Sequence, residues 1–283
     1  MVVLTIVRMS LLSAILEPCR KFFIGIKFPF ETSNDFAYFG LHLWIIFVGS
    51  TMNIILLLTE GFTYGLIVVL IIEFRKLRET FVQIKEKIEE IAKLKKKIRE
   101  KILKSKSNEI KKFHETQLKI NELNLQLKLQ LHHLIIDHSS TLDIRNDLQR
   151  IFSKVFLVNF FTTTFSVCFQ AFNAITSPDI ANFLTYFFGS VFQSWMLFIQ
   201  CRFGEQVKNE SFAVAEAAYF CDWEEIENVE IKKKILIIMM RSQKSEAFKI
   251  WKFSEISLEQ FIKFASATYS YFALLKYVNE KSH

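Results

Sequence analysis

Long apolar blocks alternate with charged segments along this chain. The first block, residues 36–72, is interrupted only by Glu60. Residues 61–72 are too few to cross about 30 Å of hydrocarbon a second time. The block therefore predicts one long helix that crosses the membrane with its first part and continues past the inner surface. Glu60 is a functional candidate as an intramembrane carboxylate, although a snorkelling or helix-paired side chain near the inner boundary is favoured.

The pattern changes at residue 73. Apolar residues now recur near heptad spacing among charged ones, at Leu77, Phe81, Ile84, Ile88, Ile91, Ile98 and Ile102. Residues 73–130 are therefore predicted to form a coiled coil or a cytosolic helical hairpin. Lysines concentrate between Lys95 and Lys112, and they add an attraction to anionic membrane lipid.

Residues 131–150 are predicted to continue as a cytosolic helix and raise the question of a metal site. They contain His132, His133, Asp137, His138 and Asp143. His133 and Asp137 share one helical face because they are four residues apart. A metal site needs more ligands on that face, so we expect polar contacts in a helix bundle, with no metal and no cofactor.

Two further apolar blocks, residues 151–172 and 180–201, are predicted to be membrane-spanning helices. The loop between them contains Pro178. Gln193 and Gln200 are polar residues inside the second block, and we expect both to form hydrogen bonds between helices.

Residues 202–253 are predicted to be cytosolic. An amphipathic segment from Val229 to Phe248 should pack in an anchor bundle through Ile235, Leu236, Ile238, Met239 and Met240. The triplet Asn209-Glu210-Ser211 is a formal glycosylation site, but we expect it to face the cytosol unused.

The last helix is predicted over residues 254–278. Ser254 or Ser257 begins it as an N-cap, with Glu259 or Gln260 in the first turn. Small residues then make one side thin, so that another helix approaches closely; they are Ala265, Ser266, Ala267, Thr268 and Ser270. The alternative is an ordinary core helix, because the apolar run is shorter than the roughly 20 residues of a span.

Composition supports an all-α polytopic membrane protein with about five membrane segments and a cytosolic helical anchor region. The 283 residues are 51% hydrophobic, with 31 Phe but only 7 Gly and 3 Pro, which argues against disorder and an all-β fold. The net charge of +7 is concentrated in one loop, as the positive-inside rule explains without nucleic acid. Four cysteines lack CxxC spacing, so neither a zinc site nor a disulfide framework is indicated.

Orientation follows from the same charge distribution. The basic loop at residues 75–112 is predicted to be cytosolic. The following segments then alternate, and the C-terminus is extracellular. Motifs of hydrolases, zinc proteases and nucleotide-binding enzymes are absent from the sequence, so we expect no enzyme activity.

The C-terminal part resembles insect odorant receptors. The similarity is most specific in Thr268-Tyr269-Ser270-Tyr271-Phe272. Earlier stretches agree in order and spacing: Tyr219 to Trp223, Met239 to Lys244, and Ser257 to Phe261. The resemblance implies a plasma-membrane subunit of a non-selective cation channel in olfactory neurons. It also implies a heterotetramer with a common coreceptor and a volatile apolar ligand.

The resemblance further implies an N-terminally truncated sequence, with about five of the family's seven segments. Residues 1–16 resemble the outer end of the third segment, and Phe28-Pro29-Phe30-Glu31 resembles a stretch of the second outer loop. A signal peptide is the alternative for residues 1–16, but Arg8 interrupts its apolar core. The predicted divisions are 1–72 (membrane segments and outer loop), 73–150 (cytosolic loop), 151–201 (two membrane segments), 202–253 (anchor helices) and 254–283 (pore-lining helix and tail).

A ligand pocket and a gate are predicted on the outer halves of the helices. Leu41, Trp44 and Val48 share one helical face, and Phe165 and Phe169 lie at the outer end of the next span. A ligand without hydrogen-bonding groups is held there by shape and apolar area. Each of these residues is equally consistent with a lipid-facing or core position.

Leu274 and Val278 share a face of the last helix, and Tyr271 lies on the same side. Four such helices place apolar rings at the outer mouth of a pore, which gate it by dewetting. The resemblance implies the same positions for the constriction, whereas Lys276 departs from the family pattern. Lipid or helix contact is the alternative.

Two other functions remain open. A membrane-anchored coiled-coil tether is suggested by residues 73–130, but it does not require a small-residue final helix with an aromatic ending. A gustatory receptor is disfavoured because the chain ends in Ser270-Tyr271-Phe272 rather than a Thr-Tyr run that closes in Gln-Phe. The sequence does not identify the odorant.

Overall fold

The computed structural model describes residues 35–103, 110–177, 179–244, 247–251 and 254–281. The predictions for residues 1–34, including Phe28-Pro29-Phe30-Glu31, lie outside this part of the chain. Pro178 in the loop between the two spans also lies outside it.

Within the described ranges the chain is almost entirely helical, as predicted. The helices are α1 (Asp35–Leu103), α2 (Ile110–Thr176), α3 (Ile180–Tyr219), α4 (Val229–Gln243) and α5 (Leu258–Lys281). A 3-10 turn covers Trp223–Glu225, and the short strands β1 (Lys249–Ile250) and β2 (Ser254–Glu255) pair antiparallel.

The first apolar block is one continuous helix, as predicted, since α1 runs through Glu60 without a break. Two helices of the described chain are long and apolar enough to cross a membrane, namely Leu57–Glu100 within α1 and Phe113–Thr176 within α2. The other membrane segments expected from the pattern remain predictions.

The described residues form two compact units. The first contains residues 35–65, 165–195 and 268–281, and the second contains residues 66–164 and 196–267.

An antiparallel helical hairpin forms the core of the second unit. Phe81, Ile84 and Ile88 of α1 are at most 3% exposed. Buried apolar side chains of α2 in the same unit follow steps of three or four residues, at Ile120, Leu123, Leu127, Leu131 and Leu134. Lys119 Nζ of α2 lies 2.7 Å from Glu90 Oε1 of α1. The hairpin alternative is therefore correct, and the seam between its arms accounts for the heptad spacing.

A carboxylate of α3 contacts two arginines of the hairpin. Glu210 is hydrogen-bonded to Arg75 Nε at 2.7 Å and to Arg78 Nη1 at 3.0 Å. The neighbouring Ser211 is only 2% exposed. The formal glycosylation triplet therefore lies within a helix that packs against its surroundings through Ser211.

Helix α4 packs with one face only. Ile235, Ile238 and Met239 are buried as predicted, whereas Leu236 is 43% exposed and Met240 is 64% exposed. The prediction was wrong for these two because residues four apart lie on one side of a helix, and here that side points away from the unit. The helix also ends at Gln243 rather than Phe248.

The final helix begins one turn later than its first candidate cap. Ser257 Oγ accepts a hydrogen bond from the backbone N–H of Gln260 at 3.3 Å, so Ser257 is the N-cap. Ser254 instead belongs to β2, where it pairs with Ile250. Ser257 is therefore the correct alternative.

Candidate functional site

Both glutamines of the second apolar block form the hydrogen bonds between helices that the sequence predicts. In the first unit, Gln170 Nε2 donates to Gln193 Oε1 at 3.2 Å and thereby connects α2 with α3. In the second unit, Asn159 Nδ2 donates to Gln200 Oε1 at 3.1 Å. Polar pairs of this kind fix the register of apolar helices, which slide easily on uniform hydrocarbon surfaces.

Gln170, which the sequence pattern did not single out, lies very close to residues of α2 and α3. Its Nε2 also donates to Ser166 Oγ at 3.1 Å, while its Oε1 is buried with no donor among the described residues. A Cβ atom at Gly189 would lie 2.6 Å from this oxygen. Gly189 therefore leaves the space that the Gln170 amide occupies. A glutamine in an otherwise apolar run was the available sequence signal.

The predicted pocket residues all lie in the first unit. Trp44 on α1 is 64% exposed, and Phe165 and Phe169 on α2 are 68% and 64% exposed. Leu41 and Val48 are half-buried. Trp44 contacts the ring of Phe47 on its own helix, with centroids 6.5 Å apart. These side chains thus form exposed apolar helix faces, and their role in ligand binding stays a prediction.

Two cavities formed by described residues lie in the second unit, away from the predicted pocket residues in sequence. One, of about 340 Å³, is lined by apolar and polar residues of the hairpin, by the segment Glu225–Asn228 and by Ile231. Another, of about 390 Å³, has a polar lining that includes Lys87, Gln130, His133 and Asp137.

The predicted gate residues project from α5. Tyr271, Leu274 and Val278 are each 57% exposed. Their spacing of three and four residues places them on one side of the helix. Large apolar side chains that remain this exposed on a helix mark a surface for lipid, ligand or another subunit.

The residues of the family signature are divided between half-buried and exposed positions of α5. Thr268 and Phe272 are half-buried, whereas Tyr269 is 72% exposed and Ser270 is also exposed. Cys168 Sγ lies 3.8 Å from the carbonyl oxygen of Thr268 and donates to it. The small residue Thr268 therefore allows α2 to approach the α5 backbone, as the thin side of the helix predicts.

The histidine-rich segment forms polar contacts in the helical bundle. His138 is buried, and its Nε2 lies 2.9 Å from Ser242 Oγ of α4. The rings of His132 and His133 lie 6.2 Å apart. Among the described residues, no three His, Cys, Asp or Glu side chains are grouped to hold a metal ion. The prediction of polar contacts is confirmed for His138.

Comparisons with known proteins agree on one family. A family model described as 7tm Odorant receptor matches residues 1–269. Odorant receptor 85f of Drosophila melanogaster is 32% identical over 136 residues, which are 47% of this chain and 33% of that protein. Odorant receptor 22c of the same species is 28% identical over 155 residues, which are 55% of this chain and 38% of that protein.

A solved structure shares the fold. The insect olfactory receptor OR5 from Machilis hrabei, solved in complex with eugenol, superposes with a TM-score of 0.68 at 13% identity and covers 98% of this chain. The match spans 65% of that receptor chain. The matches to the curated relatives span from 33% to 41% of those proteins.

We expect the stability of the second unit to depend on the protonation of His138. Burial, aided by the positive charge of Arg241, lowers the pKa of His138 below its usual value. In the unfolded chain the pKa returns to about 6.5, so the unfolded state binds more protons below that pH. This contribution is fully present above about pH 6.5 and is lost as the pH falls towards the lowered pKa. His138→Gln should therefore weaken the fall in thermal unfolding midpoint between pH 7.5 and 5.5.

The measurement uses purified protein in detergent, and His133→Gln, which replaces an exposed histidine one turn away, is the matched control. An equal pH dependence in wild type and His138→Gln would contradict the assignment.

Proposed function

The chain belongs to the 7tm odorant receptor family, and on that premise we propose that it is an odorant-binding subunit of a ligand-gated, non-selective cation channel. The observation that carries the proposal is the exposed apolar face of α5. A channel subunit must offer the pore a helix face that is not buried within its own fold. Tyr271, Leu274 and Val278 form such a face, with more than half of each side chain free.

The proposed partner is a common coreceptor subunit, with which the chain forms a heterotetramer. Four helices around an axis would turn the exposed face of α5 into apolar rings. Such rings disfavour water, and therefore ions, until the helices move apart. Lys276 lies on the same helix, and its charge near the outer mouth would make this subunit differ from its partners.

The proposed ligand is a small volatile molecule held mainly by apolar contact. The structurally similar receptor was solved with eugenol. The exposed face around Trp44 and the aromatic side chains Phe165 and Phe169 supply area, at about 25 cal/mol for each Å² removed from water. Discrimination between odorants then depends on the shape of these residues.

A coiled-coil tether is the second candidate because the hairpin of α1 and α2 is present. A protein that acted only as a tether would not need the exposed apolar face of α5 or the polar pairs formed by α3. It also predicts no odorant-dependent current, so the electrical measurements below distinguish it from the channel.

The proposed location is the plasma membrane, with the basic loop cytosolic and the C-terminus extracellular. An epitope tag inserted at residue 105 should stain only permeabilised cells, whereas a tag after His283 should stain intact cells, since basic loops remain cytosolic. Staining of the residue-105 tag on intact cells would reverse the orientation. A tag on a known cytosolic protein controls for membrane integrity.

Trp44→Ala should change the order of potency among a panel of odorants at unchanged surface expression. The substitution removes the largest apolar surface of the proposed pocket, and ligands that fill it should lose more than smaller ones. The receptor, expressed from its native transcript with the coreceptor, is assayed by odorant-evoked current. Trp195→Ala, which removes another exposed tryptophan (56% exposed) from α3, is the matched control. An unchanged potency order would show that Trp44 is not part of the pocket.

Leu274→Ser should raise the current that flows without odorant or alter cation permeability. A hydroxyl in the ring lowers the cost of wetting the closed pore. Ala273→Ser places the same hydroxyl on the neighbouring residue, about 100° around the helix, and should leave the basal current unchanged. If Leu274→Ser matches wild type in basal current and permeability at normal surface expression, Leu274 is not part of the gate.

A further inference from the structure

The segment that precedes α5 is held from two sides by side chains of α2 and α3. We define residues 247–251 and 254–256 of this segment as the collar; they contain β1 and β2. We propose that Gln149 of α2 and Gly204 of α3 are positioning residues that fix the collar and thereby set the direction in which α5 leaves it. The gating consequence rests on the proposed channel function.

On the α2 side, the side-chain amide of Gln149 forms hydrogen bonds with the backbone of β1. Its Oε1 accepts from the N–H of Lys249 at 2.7 Å, and its Nε2 donates to the carbonyl oxygen of the same residue at 2.9 Å. A primary amide satisfies both groups of one residue in the way that a neighbouring strand would. The exposed edge of this two-stranded sheet is therefore paired with a helix side chain.

A second contact from α2 lies one turn earlier. Arg145 donates to the carbonyl oxygen of Ala247, and Arg145 and Gln149 share a helical face because they are four residues apart. Phe156 further along α2 contacts Phe248 edge to face, with ring centroids 6.2 Å apart. Ala247 and Phe248 are each 1% exposed, so this end of the collar has little freedom to shift.

On the α3 side, the contact is steric. A Cβ atom at Gly204 would lie 2.5 Å from the carbonyl oxygen of Ile256 and 2.6 Å from its Cγ2. Glycine is thus required at residue 204 for the backbone of the collar to approach α3. Lys208 Nζ, one turn further, lies 3.3 Å from Glu255 Oε2, which orients β2 along the same helix.

The collar leads directly into α5. Ile256 N–H donates to the carbonyl oxygen of Phe248 at 2.7 Å and closes the collar, and the N-cap Ser257 follows. Only one residue thus separates the fixed Ile256 from the first helical residue, Leu258. A displaced collar must change the direction of the first turn of α5.

Hydrogen exchange of the full chain in detergent tests the positioning step without any assumption about the channel. Gln149→Met keeps the length of the side chain and removes both hydrogen bonds. It should speed amide exchange at residues 249–251 and 254–256 and in the first turns of α5, residues 258–264. The exchange of α4, residues 229–243, should stay at the wild-type rate.

Arg150→Ala is the matched control, because Arg150 is the next residue and its side chain pairs with Asp147 of the same helix, at 3.1 Å. Gly204→Ala should reproduce the Gln149→Met pattern from the other side of the collar. Gly65→Ala controls for the added methyl group, since a Cβ there meets open space. Faster exchange confined to the collar, or spread equally through α4, would overturn the proposal.

Recordings of odorant-evoked and basal current test the consequence for gating. Gln149→Met, co-expressed with the coreceptor, should shift the half-maximal odorant concentration or the basal current by about fivefold or more, since each of the two lost hydrogen bonds changes an equilibrium by about that factor. An unaltered response despite faster exchange in α5 would overturn the link to gating. Absence of current in the wild type would instead contradict the proposed function, and the exchange result would still decide the positioning step.

Discussion

The apolar seam between the two arms of the hairpin is the interaction on which the second unit depends. Phe81, Ile84 and Leu127 are almost completely buried in this unit. Removal of apolar area from water supplies most of the free energy of such a core. The polar contacts then select one arrangement. Glu210 directs α3 towards Arg75 and Arg78, and His138 meets Ser242 of α4.

Polar residues have a different task in the apolar helices of the first unit. Lipid and leucine side chains are equally apolar, so helices gain little from hydrophobic association in a membrane. Gln170 and Gln193 supply a directional contact, and Gly189 provides the space for it. The approach of Cys168 to the α5 backbone at Thr268 depends on small residues in the same way.

Other large apolar side chains are exposed and do not take part in such contacts. Trp44, Phe165 and Leu274 each leave more than half of their surface uncovered by the protomer. The proposed function needs such surfaces, because a helix face that packs inside the chain is not available to a ligand or to another subunit. The proposed pocket and gate both fall on these faces, whereas the buried polar contacts hold the helices that carry them.

The sequence by itself determined the helical class, the single long helix through Glu60 and the family, since these depend on local periodicity and on short motifs. It left a coiled coil and a helical hairpin open for residues 73–130. It also predicted that Gln193 and Gln200 would bond between helices, because a polar group in an apolar span has few other partners. Pocket and gate residues were proposed from spacing and resemblance, which indicate a helical face but not what covers that face.

The tertiary structure decided which face of each helix packs and which of two equivalent caps is used. Leu236 and Met240 are as apolar as Ile235, yet they point outward, because burial depends on the position of neighbouring helices and not on the residue alone. Ser254 and Ser257 are chemically identical, but the backbone of Ser254 pairs with Ile250 and belongs to β2, so Ser254 does not begin the helix. The contacts of Gln149 and Gly204 with the collar join residues separated by 100 and 52 positions in the chain. No local pattern specifies contacts of that range, so only the packed arrangement of α2, α3 and the collar reveals them.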